Sequence, residues 1–354
     1  MRRPEGEPRP ALFSWTAGPQ LRSLWAVLSL AQTADERGRL PASDAAPLNG
    51  LPAMKSEEAH PTPRHGSELT GLRGDEAEWT LAIRPRRHWW DLRLGELWGS
   101  RELVMLFVWR DFVSLYKQTI LGPLWYVVQP LLTTVVFTVI FGRIAGLSTE
   151  GVPQFLFYMA GTITWTYFAT SLTKTSQTFI VNAAVFGKVY FPRMSVPVSV
   201  VISNLISFAI QLVLFLGFLV YFAWKGAAIH PSAYLVFLPF LVVLMAAMGL
   251  GFGISVSALT TRYRDLQYLV AFGTQLAMYL TPIVYPLSSV HGAMRWLVLA
   301  NPMTAVVETF RLGFFGVGTV TAGMLLYSTA FTLVLFTVGT LLFNRVERTF
   351  MDTV

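Results

Sequence analysis

The sequence predicts an all-α, polytopic membrane protein with six transmembrane helices, an N-terminal interface helix and a re-entrant helical pair before the last span. Three observations predict it. Charged residues make up only 13% of the chain and hydrophobic ones 53%, against about 25% charged in an ordinary soluble domain. Nearly all of the polar minority lies before residue 120 or in short clusters between long apolar runs. Lys and Arg, finally, fall on alternate loops. With the N-terminus inside, fourteen of them from Arg84 onward lie on the cytoplasmic side, against four outside (Arg143, Lys225, Arg295 and Arg311). Both termini are therefore expected in the cytoplasm. The net charge of +7 reflects these basic loops, and no nucleic-acid partner is expected. With no Cys there is neither a disulfide framework nor a Cys-based zinc site, and no two of the five His have metal-ligand spacing.

Residues 1–78 are rich in Pro, Gly, Ala, Glu and Arg and read as a disordered or non-native N-terminal extension. The run Leu24–Ala31 has the look of a signal-peptide core, but a cleaved signal would place the Arg-rich stretch after it outside the membrane. Initiation at Met54 is a further reading of this region. Residues 79–123 form a cytoplasmic segment. "EWTLAIRPRRHWWDLRLGELWGS" mixes Arg with Trp, which suits a membrane–water interface. In "RELVMLFVWRDFVSLYKQTILGP" the apolar core Leu103–Trp109 is too short to span. A helix lying in the interface is expected, carrying Arg110, Asp111, Tyr116 and Lys117 and ended by Gly122-Pro123.

Residues 124–354 hold the transmembrane domain. Its spans are Leu124–Ile144, Gln154–Thr173, Pro197–Trp224, Ala233–Leu259, Leu266–Tyr285 and Gly323–Phe343, each long enough as a helix to cross about 30 Å of hydrocarbon. Between the last two, "HGAMRWLVLANPMTAVVETFRLGFFGVG" is broken at Asn301-Pro302, because proline lacks an amide donor and disfavours helix in the preceding residue. Two short helices dipping into the outer leaflet fit this segment. Glu308 and Arg311 lie in it at i and i+3, where they can neutralise each other. Gln129, Asn204, Gln211 and Gln275 lie within spans, where such residues line a pore or bond between helices. Gly249 and Gly253 make a G-x-x-x-G face for close helix packing.

The stretch "NAAVFGKVYFPRMSVP" (182–197) carries Gly187-Lys188, like the end of a P-loop. A P-loop needs Gly where Asn182 stands and Ser or Thr where Val189 stands, so nucleotide binding is excluded. Asn182 can cap a short helix and Pro192 stops it. The residues Val185, Phe186, Val189, Tyr190 and Phe191, with Lys188 and Arg193, are then expected on an exposed, cation-flanked aromatic surface. Such a surface is either a docking knob or a basic loop on lipid headgroups.

From Trp79 to the C-terminus the chain resembles the membrane subunit of ABC-2 type transporters that export polysaccharides such as O-antigen, capsule or teichoic acid. The matching segments, in order, are "VWRDFVSLYKQTILGPLWYVVQP" (108–130), "KVYFPR" (188–193), "RYRDL" (262–266), "TPIVYP" (281–286), "NPM" (301–303) and "FNRVERTFMDTV" (343–354). The resemblance implies a coupling helix at 182–193 seated in a cleft on a separate ATP-binding subunit. It implies a second contact at Arg262, Arg264 and Asp265, and a re-entrant pair built on Asn301, Pro302, Glu308 and Arg311. It also implies a homodimer working with two ATP-binding subunits, with ATP and magnesium bound there and no cofactor on this chain. No Walker A sequence occurs here, in keeping with a transporter subunit that is not itself the enzyme. The substrate it implies is a lipid-linked glycan, moved outward across the bacterial inner membrane. Aromatic side chains can stack on sugar faces as the glycan slides. Trp125, Tyr126, Tyr158, Trp165, Tyr167 and Phe168 are the candidates, weighed against a Trp/Tyr belt or core packing.

Three other functions compete with this one. A membrane-embedded glycosyltransferase or polymerase would want carboxylates or His at the surface, and the six spans hold no Asp, Glu or His. A secondary transporter would show repeat halves and intramembrane titratable groups, and neither is present. An ABC-2 exporter of a drug or small lipid is the nearest rival.

Overall fold

The computed structural model describes residues 94–118, 122–182, 186, 191–261 and 263–351; helices joined by short irregular segments make up these, with no strand among them. Residues 1–78 and the Trp-rich stretch before Leu94 lie outside the described residues. Two helices open the described chain, α1 (Leu94–Gly99) and α2 (Arg101–Gln118). Then come α3 (Trp125–Phe137), α4 (Gln154–Ser176), the single turn α5 (Thr178–Val181), α6 (Ser195–Trp224) and α7 (Leu238–Thr260). The last four are α8 (Leu266–Leu280), α9 (Ala293–Ala300), α10 (Pro302–Phe315) and α11 (Ala322–Met351).

Among the described residues, four segments are long and apolar enough to cross a membrane: Trp125–Ile144, Ser195–Trp224, Ala233–Thr260 and Ala322–Val346. They coincide with four of the six expected spans. The other two differ for separate reasons. Helix α4 has 23 residues, about 35 Å, but is rich in Thr and Ser. Sixteen of those residues are buried, because α3, α6, α7 and α10 pack around it. A helix enclosed by protein needs no continuous apolar surface, since its hydroxyls can be satisfied internally. Thr162 and Thr164 donate to the carbonyls of Tyr158 and Ala160 at 2.7 and 3.0 Å. Helix α8 is shorter than expected, 15 residues, and stops at Leu280. Thr281 has ψ 141°, the extended conformation that Pro282 imposes on the residue before it.

Helix α7 runs between α4 and α11, and glycine lets it. A Cβ on Gly253 would stand 2.4 Å from Cβ of Thr175 and 3.1 Å from the Leu172 carbonyl oxygen; one on Gly249 would stand 2.9 Å from Cβ of Ser171. On the other side a Cβ on Gly339 of α11 would meet the Gly251 carbonyl at 2.6 Å. The expected G-x-x-x-G face is thus the α4 contact. Gly253→Val is expected to lower the stability of the solubilised chain by at least about 1–3 kcal/mol, the usual cost of forcing extra methyls into a packed interface. Thermal unfolding in detergent measures it, and an unchanged midpoint would contradict the contact.

Helix α3 changes pitch near its end, where Thr138–Ile144 winds as a π-helix. The carbonyl of Gly142 in that turn receives Nε2 of Gln154 at 3.2 Å. Helix α10 ends at Gly316 with φ 73°, where a Cβ would lie 2.6 Å from the His230 carbonyl, so only glycine fits the turn.

Candidate functional site

The break between α8 and α11 is where the polar groups concentrate. Asn301 caps α10 by accepting from the Met303 amide at 3.0 Å, and its Nδ2 donates to Oγ1 of Thr281 at 2.7 Å. Pro302 occupies the first helical position, where its missing N–H costs nothing. Ser328 of α11 donates to the Pro302 carbonyl at 2.9 Å. The two short helices read from the sequence are α9 and α10, joined at Asn301.

Within α10 the pair Glu308–Arg311 forms, at 3.5 Å, with both side chains 1–2% exposed. Arg311 does more than neutralise Glu308. Nη1 donates to the Pro282 carbonyl at 2.6 Å and Nη2 to the Ile283 carbonyl at 2.7 Å. Those carbonyls follow the end of α8, which Pro282 helps to break, and the guanidinium supplies the donors a continued helix would have given. The guanidinium also sits 3.6 Å from the ring centroid of Phe157 in α4. Glu308 in turn accepts from the Thr319 amide at 3.1 Å. A Cβ on Gly161 would stand 3.0 Å from Nη2 of Arg311, so α4 presents a glycine where the arginine passes. One cation therefore joins α4, α10 and the "TPIVYP" segment. Its backbone targets are a feature that sequence reading missed, and a buried Arg facing a proline break was the available signal. Nearby, Ser288 donates to the Glu150 carboxylate, tying the loop before α4 to the same segment.

At the other end of the chain's helices a row of rings connects four elements. Phe107 of α2 lies 5.7 Å from Phe191, Phe191 lies 5.7 Å from Phe186, and Phe186 lies 5.7 Å from Phe179 of α5. Phe179 stacks on Phe343 of α11 at 4.7 Å. The guanidinium of Arg193 stands 5.5 Å from the Phe186 ring. This corrects the expected exposed surface. Phe186 is 2% exposed, Arg193 is buried and Phe191 is half-buried, because the rings of α2, α5 and α11 offer them a packed site. Val185, Lys188, Val189, Tyr190 and Arg262 lie outside the described residues. Arg264 and Asp265 are exposed at the start of α8.

Helix α2 buries Val104, Phe107 and Val108 against the bundle and leaves Met105 and Trp109 exposed. Arg110 pairs with its neighbour Asp111 at 2.9 Å and lies 4.9 Å from the Phe107 ring centroid. The side chains of Tyr116 and Lys117 lie outside the described residues.

The aromatic candidates for a glycan path divide. Trp125 is 48% exposed and Tyr126 half-buried on α3. Tyr158, Trp165, Tyr167 and Phe168 are buried inside the chain's own helices, a correction to their placement along a path. Their partners explain it: Tyr167 lies 5.2 Å from Phe208, and Phe168 lies 6.3 Å from Phe252. Among the exposed aromatics, three share α8, which has no buried residue; Tyr268, Phe272 and Tyr279 are at least half exposed. Their spacing of four and seven residues was a readable stripe. Among the polar span residues, Asn204 bonds between helices, accepting from Nζ of Lys174 at 3.2 Å and donating to Ser171 at 3.3 Å. Gln211 is buried, and Gln129 and Gln275 are exposed.

Comparison with known proteins places these features in a context. A family model described as ABC-2 type transporter matches residues 102–315. The O-antigen export system permease protein RfbA of Klebsiella pneumoniae is 28% identical over 254 residues, covering 71% of this chain and 94% of that protein. The protein of the same name from Myxococcus xanthus is 30% identical over 224 residues, 62% of this chain and 83% of its own length.

Proposed function

The chain belongs to the ABC-2 type transporter family, and from that premise we propose that it is the membrane subunit of an exporter of a lipid-linked polysaccharide such as O-antigen. It works in the bacterial inner membrane with both termini in the cytoplasm, and ATP is hydrolysed in a separate subunit. The observation that carries this reading is the matched stretch 102–315, which takes in the ring row from Phe107 to Phe179, the α8 face and the Arg311 clamp, while the relatives named as O-antigen export permeases align over 83–94% of their length. The direct test uses inside-out vesicles holding this chain and its ATP-binding subunit. Lipid-linked glycan should enter the lumen with ATP and stay out without it; entry that ignores ATP would sink the proposal.

Two copies of the chain work with two ATP-binding subunits. Supporting this is the α8 face, whose aromatics and Gln275 point outward, with Gln129 outward on α3. An amide facing lipid is costly, so these positions suit a face covered by protein or by a polar cargo. The same face, with Trp125, supplies stacking surfaces for a sliding glycan. Because the chain has no Cys, Gln275→Cys creates a single thiol. Mild oxidation of membranes is expected to trap a covalent dimer; exclusively monomeric protein would contradict this face.

Coupling runs through 182–193 and 262–266, with Tyr190 and Lys188 as the contacts to the ATP-binding subunit. Tyr190→Ala is expected to weaken that association about 30-fold, as for loss of an interface hot spot of about 2 kcal/mol. The melting temperature should not move. Wild-type affinity in a pull-down titration would remove Tyr190 from the contact.

A further inference from the structure

A cavity of about 200 Å³ opens between α2, α3, α4 and α6, lined among others by Asp111, Phe112, Tyr126, Lys174, Ser203 and Asn204. Neither the clamp nor the ring row uses it. Its walls carry one charge of each sign, yet the ion pair that Asp111 makes is with Arg110 and not with Lys174. Asn204 holds Lys174 in place by taking one of its three N–H donors. The Ser203 hydroxyl is buried with no hydrogen-bond partner. Buried polar groups are normally paired, so unmatched donors beside a cavity point to an occupant that brings acceptors.

The sign pattern narrows that occupant. Both bonds from Arg110 go to Oδ1 of Asp111, so its Oδ2 keeps acceptor capacity although its charge is partly offset; a simple anion gains Lys174 alone, and a simple cation gains that oxygen alone. A neutral sugar can hydrogen-bond both walls but brings no charge of its own to offset either. A group carrying both a phosphate and an ammonium answers both walls. The charge bias of the loops puts Lys174 and α2 at the cytoplasmic leaflet, and Trp109 and Met105 stand exposed on the same helix, as residues at headgroup depth do.

We propose that this cavity seats the headgroup of a zwitterionic phospholipid of the phosphoethanolamine class, its phosphate on Lys174 and Ser203 and its ammonium on Asp111. The lipid then serves as a wedge that pins interface helix α2 to α4 and α6. This goes beyond the transport reading and does not depend on which cargo is moved.

Native mass spectrometry of the purified full chain tests it, with phosphatidylethanolamine or phosphatidylglycerol added. Wild type should retain the ethanolamine lipid in preference to the glycerol lipid. Lys174→Gln and Asp111→Asn should each reduce that retention about tenfold or more, the scale of one lost charge-assisted hydrogen bond. Lys174→Arg, which keeps the charge, should retain it within a few-fold. Equal or stronger retention of the glycerol lipid overturns the proposal, as does retention that both charge-removing variants leave unchanged. Displacement of the lipid by a free monosaccharide would assign the cavity to sugar and overturns it too. Should either charge-removing variant aggregate, the wild-type lipid ranking and the Lys174→Arg result decide.

Discussion

Arg311→Met is expected to destabilise the folded chain by about 3–5 kcal/mol, the range for removing one member of a buried ion pair. The mechanism has three parts. Glu308 would be left buried with the backbone amides of Thr319 and Leu287 and no cation. The Pro282 and Ile283 carbonyls would lose their charged donor. The cation over the Phe157 ring would also be lost. A buried pair replaced as a whole by apolar groups is often neutral, so the double variant Glu308→Gln/Arg311→Met separates the parts. It should recover some of the loss but not all, because the two carbonyls remain unpaired. Melting of the detergent-solubilised variants measures both. Full recovery in the double variant would show that the carbonyl bonds contribute nothing, and wild-type stability in the single variant would contradict the clamp.

Phe186→Ala is expected to cost about 3–5 kcal/mol, as truncation of a buried Phe does. Phe186 is the middle ring of the row from Phe107 to Phe343, so its loss unseats the 182–193 segment from α2 and α11 together. On the proposed role of that segment, the variant should hydrolyse ATP with its partner but export little glycan. Phe186→Leu keeps most of the volume and should cost less than about 1.5 kcal/mol, near what volume-conserving swaps cost. The decisive quantity is the ratio of ATP hydrolysed to glycan exported, read beside the melting temperature. An unchanged melting temperature for Phe186→Ala would contradict its burial, and an unchanged ratio would detach the row from coupling.

Much of the architecture was legible in the residues. The Asn301-Pro302 break, the Glu308–Arg311 spacing and the Gly249–Gly253 face each state a local rule, and the structure shows the helix junction, the ion pair and the close contact they require. What was not legible has one physical cause. In a membrane helix both the lipid face and the protein face are apolar, so hydrophobic periodicity does not say which side is inside. Tyr158, Trp165, Tyr167 and Phe168 therefore read as candidates for a path although they are core, and the outward stripe of Tyr268, Phe272 and Tyr279 passed unmarked. Phe186 read as exposed because the rings beside it are Phe179 of α5, itself stacked on Phe343 of α11, and Phe191, and no local pattern connects them. The shortness of α8 was encoded in Pro282, but the apolar run continues past it to Tyr285.

Deletion of this gene, followed by separation of surface glycan from cytoplasmic lipid-linked glycan, tests the central claim most directly. Loss of surface glycan, accumulation of the lipid-linked form inside and restoration of both pools by the intact gene are the expected results. Unchanged pools, in cells with no second exporter, would contradict polysaccharide export and bring export of a drug or small lipid to the front.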